Sequence, residues 1–295
     1  MMDPVQAFVG ADIHDGTLLH MDMALTLDCN AAIEVVPVTD LPSDCVIHHL
    51  GGGTILPGYV DLHVNGGGGV MFNADQSVAA LQTIATAHAT CGTAALLPTL
   101  ITDNFARTAA AIDAVEAAIN LGVAGIIGIH LEGPHLSVAR KGAHDPSLIR
   151  PMEQVDLDLL LSAASRIPNV MVTVAPESTT MTQISQLVEG GLTVSLGHTN
   201  ANFETCIAAF DAGARCVTHL FNAMSQLNNR EPGLVGAAFV RDDVHASMIA
   251  DGIHVHPAAI KTAIDAKGHN IFLISDSMST AGSSIGGFEL NGRWV

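Results

Sequence analysis

Basic side chains are scarce in this chain. Eleven Lys and Arg stand against 29 Asp and Glu, a formal net charge of −18. Nucleic acids and anionic membrane surfaces call for basic patches, so both are poor partners for it. An anionic small molecule would be repelled by the protein as a whole and captured only by local cations such as Arg230, Lys141, Arg140 and the histidines. Charged residues of either sign reach only 14%, while 48% are hydrophobic, which excludes an intrinsically disordered chain. The mean hydropathy is high, at +0.39. Yet no stretch approaches the ~18 uninterrupted apolar residues of a membrane span. The start, Met-Met-Asp-Pro-Val-Gln, lacks the basic opening and apolar core of a secretory signal. Cysteine is sparse and odd in number: Cys29, Cys45, Cys91, Cys206 and Cys216, with no Cys-x-x-Cys spacing. That argues against a cysteine metal site and fits reduced thiols, so a cytoplasmic protein is expected.

What the chain does have is a rhythm of apolar runs and helical segments. From Thr54 onward, runs rich in Val and Ile fall at 54–64, 94–100, 125–131, 170–175, 192–197, 215–220, 245–250 and 270–275. They read as fully buried parallel strands. Helical patterns lie between them at 76–91, 103–121, 153–166, 179–190, 201–213, 232–240 and 257–267, with Thr102 or Asp103 and Asn200 as expected N-caps. Eight strands and seven helices predict an α/β protein, a (β/α)8 barrel over 54–282 that lacks its last helix. Residues 1–53 differ. Their short alternating runs (Ala31 to Val38, Val46 to Leu50) and the Gly51-Gly52-Gly53 hinge predict part of a small β subdomain.

Polar residues end several of the strands, where barrels of this kind carry their chemistry. Glu132, His198 and His219 follow the third, fifth and sixth apolar runs. One carboxylate and two imidazoles leave an open coordination position, as a catalytic metal needs. Asp276 ends the eighth run, either as a proton carrier beside a metal-bound water or as a cap of the next turn. Asp251 and His254 close the seventh, and His254 could polarise a carbonyl or bond a sugar hydroxyl. His63 and Asn65, at i and i+2, face one side of the first strand. They read as weak metal ligands or as a hydrogen-bonded pair at the barrel mouth. Arg230, in the Asn228-Asn229-Arg230-Glu231-Pro232-Gly233 loop, suits phosphate capture or a surface ion pair with Glu231.

The segments Leu-Pro-Gly-Tyr-Val-Asp-Leu-His-Val-Asn-Gly, His-Leu-Glu-Gly-Pro-His-Leu, Lys-Gly-Ala-His and Leu-Gly-His-Thr resemble those of the N-acetylglucosamine-6-phosphate deacetylases, within the amidohydrolase superfamily. So do Thr-His-Leu-Phe-Asn-Ala-Met, Arg-Glu-Pro-Gly, Ala-Asp-Gly-Ile-His and Ser-Asp-Ser-Met-Ser-Thr-Ala-Gly. The resemblance implies a metal-dependent hydrolase of N-acetylglucosamine 6-phosphate in amino-sugar catabolism. It implies one divalent metal, Zn²⁺ or Fe²⁺ or another ion, on Glu132, His198 and His219, with Asp276 as general base and acid. In that mechanism His254 joins the metal in stabilising the oxyanion. The resemblance also implies substrate contacts at Ala143, His144, Asn222, Ala223, Arg230, Asp251 and His254, and a homodimer. Family members carry His-x-His or Gln-x-Asn on the first strand. This chain has His63-x-Asn65, so one metal is expected and a second at His63 is not. Family chains also continue well beyond residue 295, so 283–295 would begin a return segment toward the β subdomain, and the chain reads as a fragment or one with an unusual ending. The alternatives are another amidohydrolase deacetylase, a cyclic amidase, or a non-catalytic chain that binds metal or sugar phosphate.

Overall fold

A computed structural model describes residues 4–28, 32–290 and 293–294. Ala31 and Cys29 lie outside these. The chain forms two compact units, Met1–Tyr59 and Val60–Val295.

In the first unit, strands Ile33–Pro37, Met23–Leu27, Gln6–Val9 and Val46–His49 make a four-stranded sheet in that order, and Leu19–His20, Asp12–His14 and Thr54–Ile55 make a three-stranded one. Gln6–Val9 and Met23–Leu27 alternate between half-buried and buried, the pattern of a sheet covered on one face.

The second unit is built on an eight-stranded parallel sheet: β1 (Tyr59–Val64), β2 (Thr93–Ile101), β3 (Ile129–Glu132), β4 (Val170–Val174), β5 (Thr193–Leu196), β6 (Cys216–Val217), β7 (His245–Ile249) and β8 (Ile271–Ile274), paired in chain order. All residues of β3 and β4 are buried, as in strands covered on both faces. Seven helices alternate with the strands: α1 (Val78–Ala89), α2 (Phe105–Asn120), α3 (Gln154–Arg166), α4 (Met181–Glu189), α5 (Phe203–Asp211), α6 (Gly233–Val240) and α7 (Pro257–Lys267). Leu81, Ile84, Ile112, Leu157, Ile184, Phe210 and Leu234 point inward from six of them, each 0–1% exposed. Each such burial contributes about 1.5–3 kcal/mol.

The expected N-caps are corrected. Asn104 caps α2, its side chain accepting from the Arg107 N–H, and Asn202 caps α5, accepting from the Thr205 N–H. The residues expected there are engaged elsewhere. The Thr102 hydroxyl lies 2.7 Å from His144 Nδ1, Asp103 accepts from Asn73, and Asn200 accepts from Arg140 Nε.

The sheet closes into a barrel at its C-terminal rim. Val64 and Ser277 form a parallel bridge, the Asp276 N–H donates to the His63 carbonyl at 3.0 Å, and the Asn65 N–H donates to the Ser277 carbonyl at 2.9 Å. Below them the buried Asp61 carboxylate accepts from the Ser275 and His63 N–H groups. The chain's first and last barrel strands are thereby joined at the end where the polar residues gather.

Candidate active site

At the centre of that rim a single carboxylate is surrounded by four imidazoles. Glu132, 2% exposed at the end of β3, has Oε1 3.0 Å from both His198 Nε2 and His219 Nε2. Its Oε2 lies 3.4 Å from His63 Nε2 and 3.4 Å from His144 Nε2. All four rings are buried. Burial would raise the Glu132 carboxyl, but the neighbouring His63 and His198 rings hold it well below the usual range. His63 is the converse. Burial opposes its charge, yet Asp276 and Glu132 together push its pKa up to about 9.

The rings are aimed by local bonds. His198 Nδ1 lies 2.8 Å from the Arg140 carbonyl. A carbonyl only accepts, so Nδ1 carries the hydrogen, and in the neutral ring Nε2 is left with its lone pair. His144 is held on its far side by the Thr102 hydroxyl and N–H, and its ring meets that of His198 edge-on at 4.4 Å. Gly142, at φ +55°, lets this loop pass over His198, since a Cβ there would stand 3.1 Å from Cε1.

Backbone strain concentrates at the same rim. Among the described residues, six other than glycine have positive φ, and five are His198, His219, Phe221, Ala223 and Asp276, at +36° to +78°. Side chains held this way cost of order 1–3 kcal/mol each and recur where geometry serves chemistry.

These positions fit a divalent metal. Glu132, His198 and His219 have ligand atoms all within 4.8 Å of one another. His198 Nε2 and His219 Nε2 are 3.1 Å apart. Ligands about 2.0–2.1 Å from a tetrahedral ion are spaced close to this, at roughly 3.3 Å. With a neutral His198 ring, the Nε2 lone pair faces Glu132 Oε1, an unfavourable pairing that a cation between them relieves.

Asp276 stands beside this group. Its Oδ1 accepts from Asn65 Nδ2 at 2.7 Å and lies 3.0 Å from His63 Nε2. His63 and Asn65 thus converge on one carboxylate, both 1% exposed.

Not every residue singled out in the sequence reaches the centre. Asp251 and His254 form an exposed turn after β7, Nδ1 to Oδ2 2.7 Å, and Asp251 also accepts from the Ile253 and His254 N–H groups. Backbone and side-chain bonds from His254 pull its carboxyl down to about 2. Arg230 is exposed, and its guanidinium has no ion pair among the described residues. Its neighbour Glu231 accepts from the Phe203 and Gly233 N–H groups, and no Arg230–Glu231 ion pair forms among the described residues. Asn222 and Ala223 are half-buried on the strained turn after β6, where Asn222 Nδ2 is buried without a partner. Ala143 is exposed, next to buried His144.

Sequence reading missed the layer below. His130 meets His63 edge-on at 4.6 Å. Its Nε2 lies 2.7 Å from Thr173 Oγ1, which continues to Thr218 and Ser195 hydroxyls at 2.7 and 2.6 Å. Burial holds the His130 ring well below its ordinary pKa, with His63 adding to the effect. The available signal was position: His130 stands at i−2 to Glu132 and so shares its inward side.

Known proteins resemble the chain throughout. An N-acetylgalactosamine-6-phosphate deacetylase of Shewanella is 46% identical over 80% of this chain and 60% of its own length. An N-acetylglucosamine-6-phosphate deacetylase of Haemophilus influenzae is 34% identical over 89% of this chain and 68% of its own. The crystal structure of the corresponding Pasteurella multocida enzyme superposes with a TM-score of 0.93 at 34% identity, covering 98% of this chain and 76% of that one. That of a Mycobacterium smegmatis mutant in complex with N-acetyl-D-glucosamine-6-phosphate superposes at 0.88 and 32% identity, covering 98% and 75%. The chain therefore spans about 60% of the length of the Shewanella relative. Residues 54–286 match the amidohydrolase family, and with a barrel whose buried Glu, His, His group can hold a metal, the chain belongs to that family.

Proposed function

We propose that this chain carries the catalytic centre of a hydrolase that deacetylates N-acetylglucosamine 6-phosphate to glucosamine 6-phosphate and acetate. Glu132, His198 and His219 would hold one divalent ion; zinc is our choice, and iron or another divalent ion fits the same nitrogen and oxygen donors. Once bound, such an ion supplies Lewis acidity and lowers the pKa of a coordinated water toward ~7. Asp276 takes the proton as water attacks the acetamide carbonyl, then returns it to the departing amine. Asn65 donates to Oδ1 of Asp276 and His63 lies against the same oxygen, so Oδ2 is the oxygen assigned to proton transfer. His254 donates to the developing oxyanion, a role worth roughly 10²–10³ in rate. Arg230 captures the phosphate in a protein field that otherwise repels it, with His144, Ala143, Asn222, Ala223 and Asp251 around the sugar. A homodimer in the cytoplasm is part of this reading.

The observation that carries it is the shared neighbour of acid and metal group: His63 Nε2 lies 3.0 Å from Asp276 Oδ1 and 3.4 Å from Glu132 Oε2. This supports a base standing beside the metal group it would serve. His63 with Asn65 serves to hold Asp276, and a second ion there is not part of the proposal. One finding favours a second reading of the sugar, because the 46% identical relative is named for the galacto epimer.

The test is acetate release, with metal content, from N-acetylglucosamine 6-phosphate, its galacto epimer and the unphosphorylated sugars. One equivalent of metal and turnover of a phosphorylated sugar are expected. Metal without turnover would overturn the enzyme reading, and equal turnover without phosphate would overturn the substrate class.

A further inference from the structure

Four consecutive glycines, Gly66–Gly69, follow β1, and nothing in the proposed chemistry uses them. Gly66–Gly67 pairs antiparallel with Val70–Met71, making a small hairpin laid on α1. A Cβ on Gly67 would stand 2.9 Å from His88 Cδ2, and one on Gly68 2.9 Å from Thr83 Cγ2. Side chains here would lift the hairpin from the helix. On the opposite flank a Cβ on Gly282 would meet the Ala87 carbonyl at 2.7 Å. So α1 backs two segments at once, the one after β1 and the one after β8.

His88, in the last turn of α1 and 4% exposed, is a polar link across that seam, beside the Ser277 hydroxyl, which donates to the Gly66 carbonyl at 3.3 Å. Its Nε2 lies 3.0 Å from the Gly66 carbonyl and 3.2 Å from Ser277 Oγ. The carbonyl only accepts, so Nε2 carries the hydrogen and His88 donates. Gly66 follows Asn65 and Ser277 follows Asp276, so His88 grips the residues adjoining both partners of the 2.7 Å Asn65–Asp276 bond. The backbone continues the seam: Gly66 N–H donates to Ser277, Gly68 N–H to Ala281 and Gly69 N–H to Ser279 at 3.2, 2.8 and 2.8 Å.

We propose that His88 is a positioning residue for the proton-transferring carboxylate. Through Gly66 and Ser277 it fixes the seam between the first and last barrel strands, and so the direction in which Asp276 presents Oδ2. The inference rests on the role proposed for Asp276. It predicts an effect on turnover, since a misplacement of about 1 Å costs up to ~10² in rate.

The test compares His88→Leu, which fills the space without donating, with His88→Gln, whose amide can donate from nearly the same point. In the full chain, His88→Leu is expected to lower kcat by about 10–100-fold with little change in KM or metal content, and His88→Gln to restore most of the loss. Deuterium exchange should quicken at 64–69 and 275–282 in the Leu variant and not in the Gln variant. If His88→Leu does not fold, Ser277→Ala removes the other side of the link and should show the same split on a smaller scale. Wild-type kcat in His88→Leu, or equal losses in both His88 variants with a shared fall in Tm, would overturn the proposal. A wild-type chain that released no acetate would sink the reading of Asp276. Exchange would still decide whether His88 holds the seam, and unchanged exchange in His88→Leu would show that it does not.

Discussion

Two parts of the barrel rim differ sharply. Over β3, β5 and β6 the polar groups are buried against one another, and those after β5 and β6, His198 and His219, sit on strained backbone. Over β7, Asp251 and His254 are exposed and bond mainly to each other, and the Arg230 loop after β6 is exposed as well. The first part is organised before any ligand arrives. The second keeps its donors in water, where a substrate can be met and its charge neutralised. On the proposed function, the buried part holds the metal and the proton carrier. The exposed part supplies the oxyanion donor His254 and the phosphate contact Arg230, an arrangement suited to an acidic protein that captures an anion.

The largest test of that separation is at Glu132. Glu132→Gln should abolish metal binding and lower activity by at least ~10³, because one neutral amide cannot replace the carboxylate between the imidazoles. Metal analysis and acetate release measure both, and retained metal would break the division. Asp276→Asn should keep the metal and still lose about 10²–10⁴ in kcat. Wild-type-like turnover there would remove Asp276 from the chemistry. On the exposed side, His254→Ala should keep the metal and lower kcat/KM by about 10². Arg230→Ala should raise KM for the phosphorylated sugar about tenfold, the cost of one charge-assisted contact, and leave the unphosphorylated sugar unaffected. A comparable loss with both sugars would show that Arg230 does not read the phosphate.

The smallest effect concerns the scaffold under the buried side. Arg150 grips the buried Asp156 of α3 with both guanidinium nitrogens, holding the loop that carries His144. Burial alone would raise the Asp156 carboxyl, but Arg150 and the Glu153 N–H keep it below its ordinary value of 3.8. Its contribution to stability is therefore complete above that ordinary value and is lost as pH falls through the lower, folded one. Asp156→Asn should cost about 1–2 kcal/mol at pH 7, with Arg150 partly solvated, and the difference from wild type should shrink in strong acid. Thermal melts across pH check this, and a constant difference would place the effect in packing instead of charge.

Much of this was legible in the sequence because a parallel barrel writes its chemistry locally: an apolar run, then one polar residue. The strands leading to Glu132, His198, His219 and Asp276 stood out for that reason. The partners of those residues did not. Asn65 and Asp276 are 211 residues apart, and Thr102 reads as a helix cap until His144 is seen against it. Barrel closure creates such pairs, and no short-range periodicity reports it. His88 was hidden for the same reason, as one more polar residue on an alanine-rich helix.

The left-handed backbone of the rim has a consequence for anyone stabilising this protein. Glycine relieves the steric strain of a left-handed residue, and Asp22, at φ +56° in the first unit, is a position where that exchange touches none of the rim. At His198, His219 and Asp276 the same rule would be satisfied by discarding the groups proposed to hold the metal and move the proton. A library selected for melting temperature alone should therefore drift toward better-folded, inert proteins at these three positions. Selection for turnover should hold the strain in place.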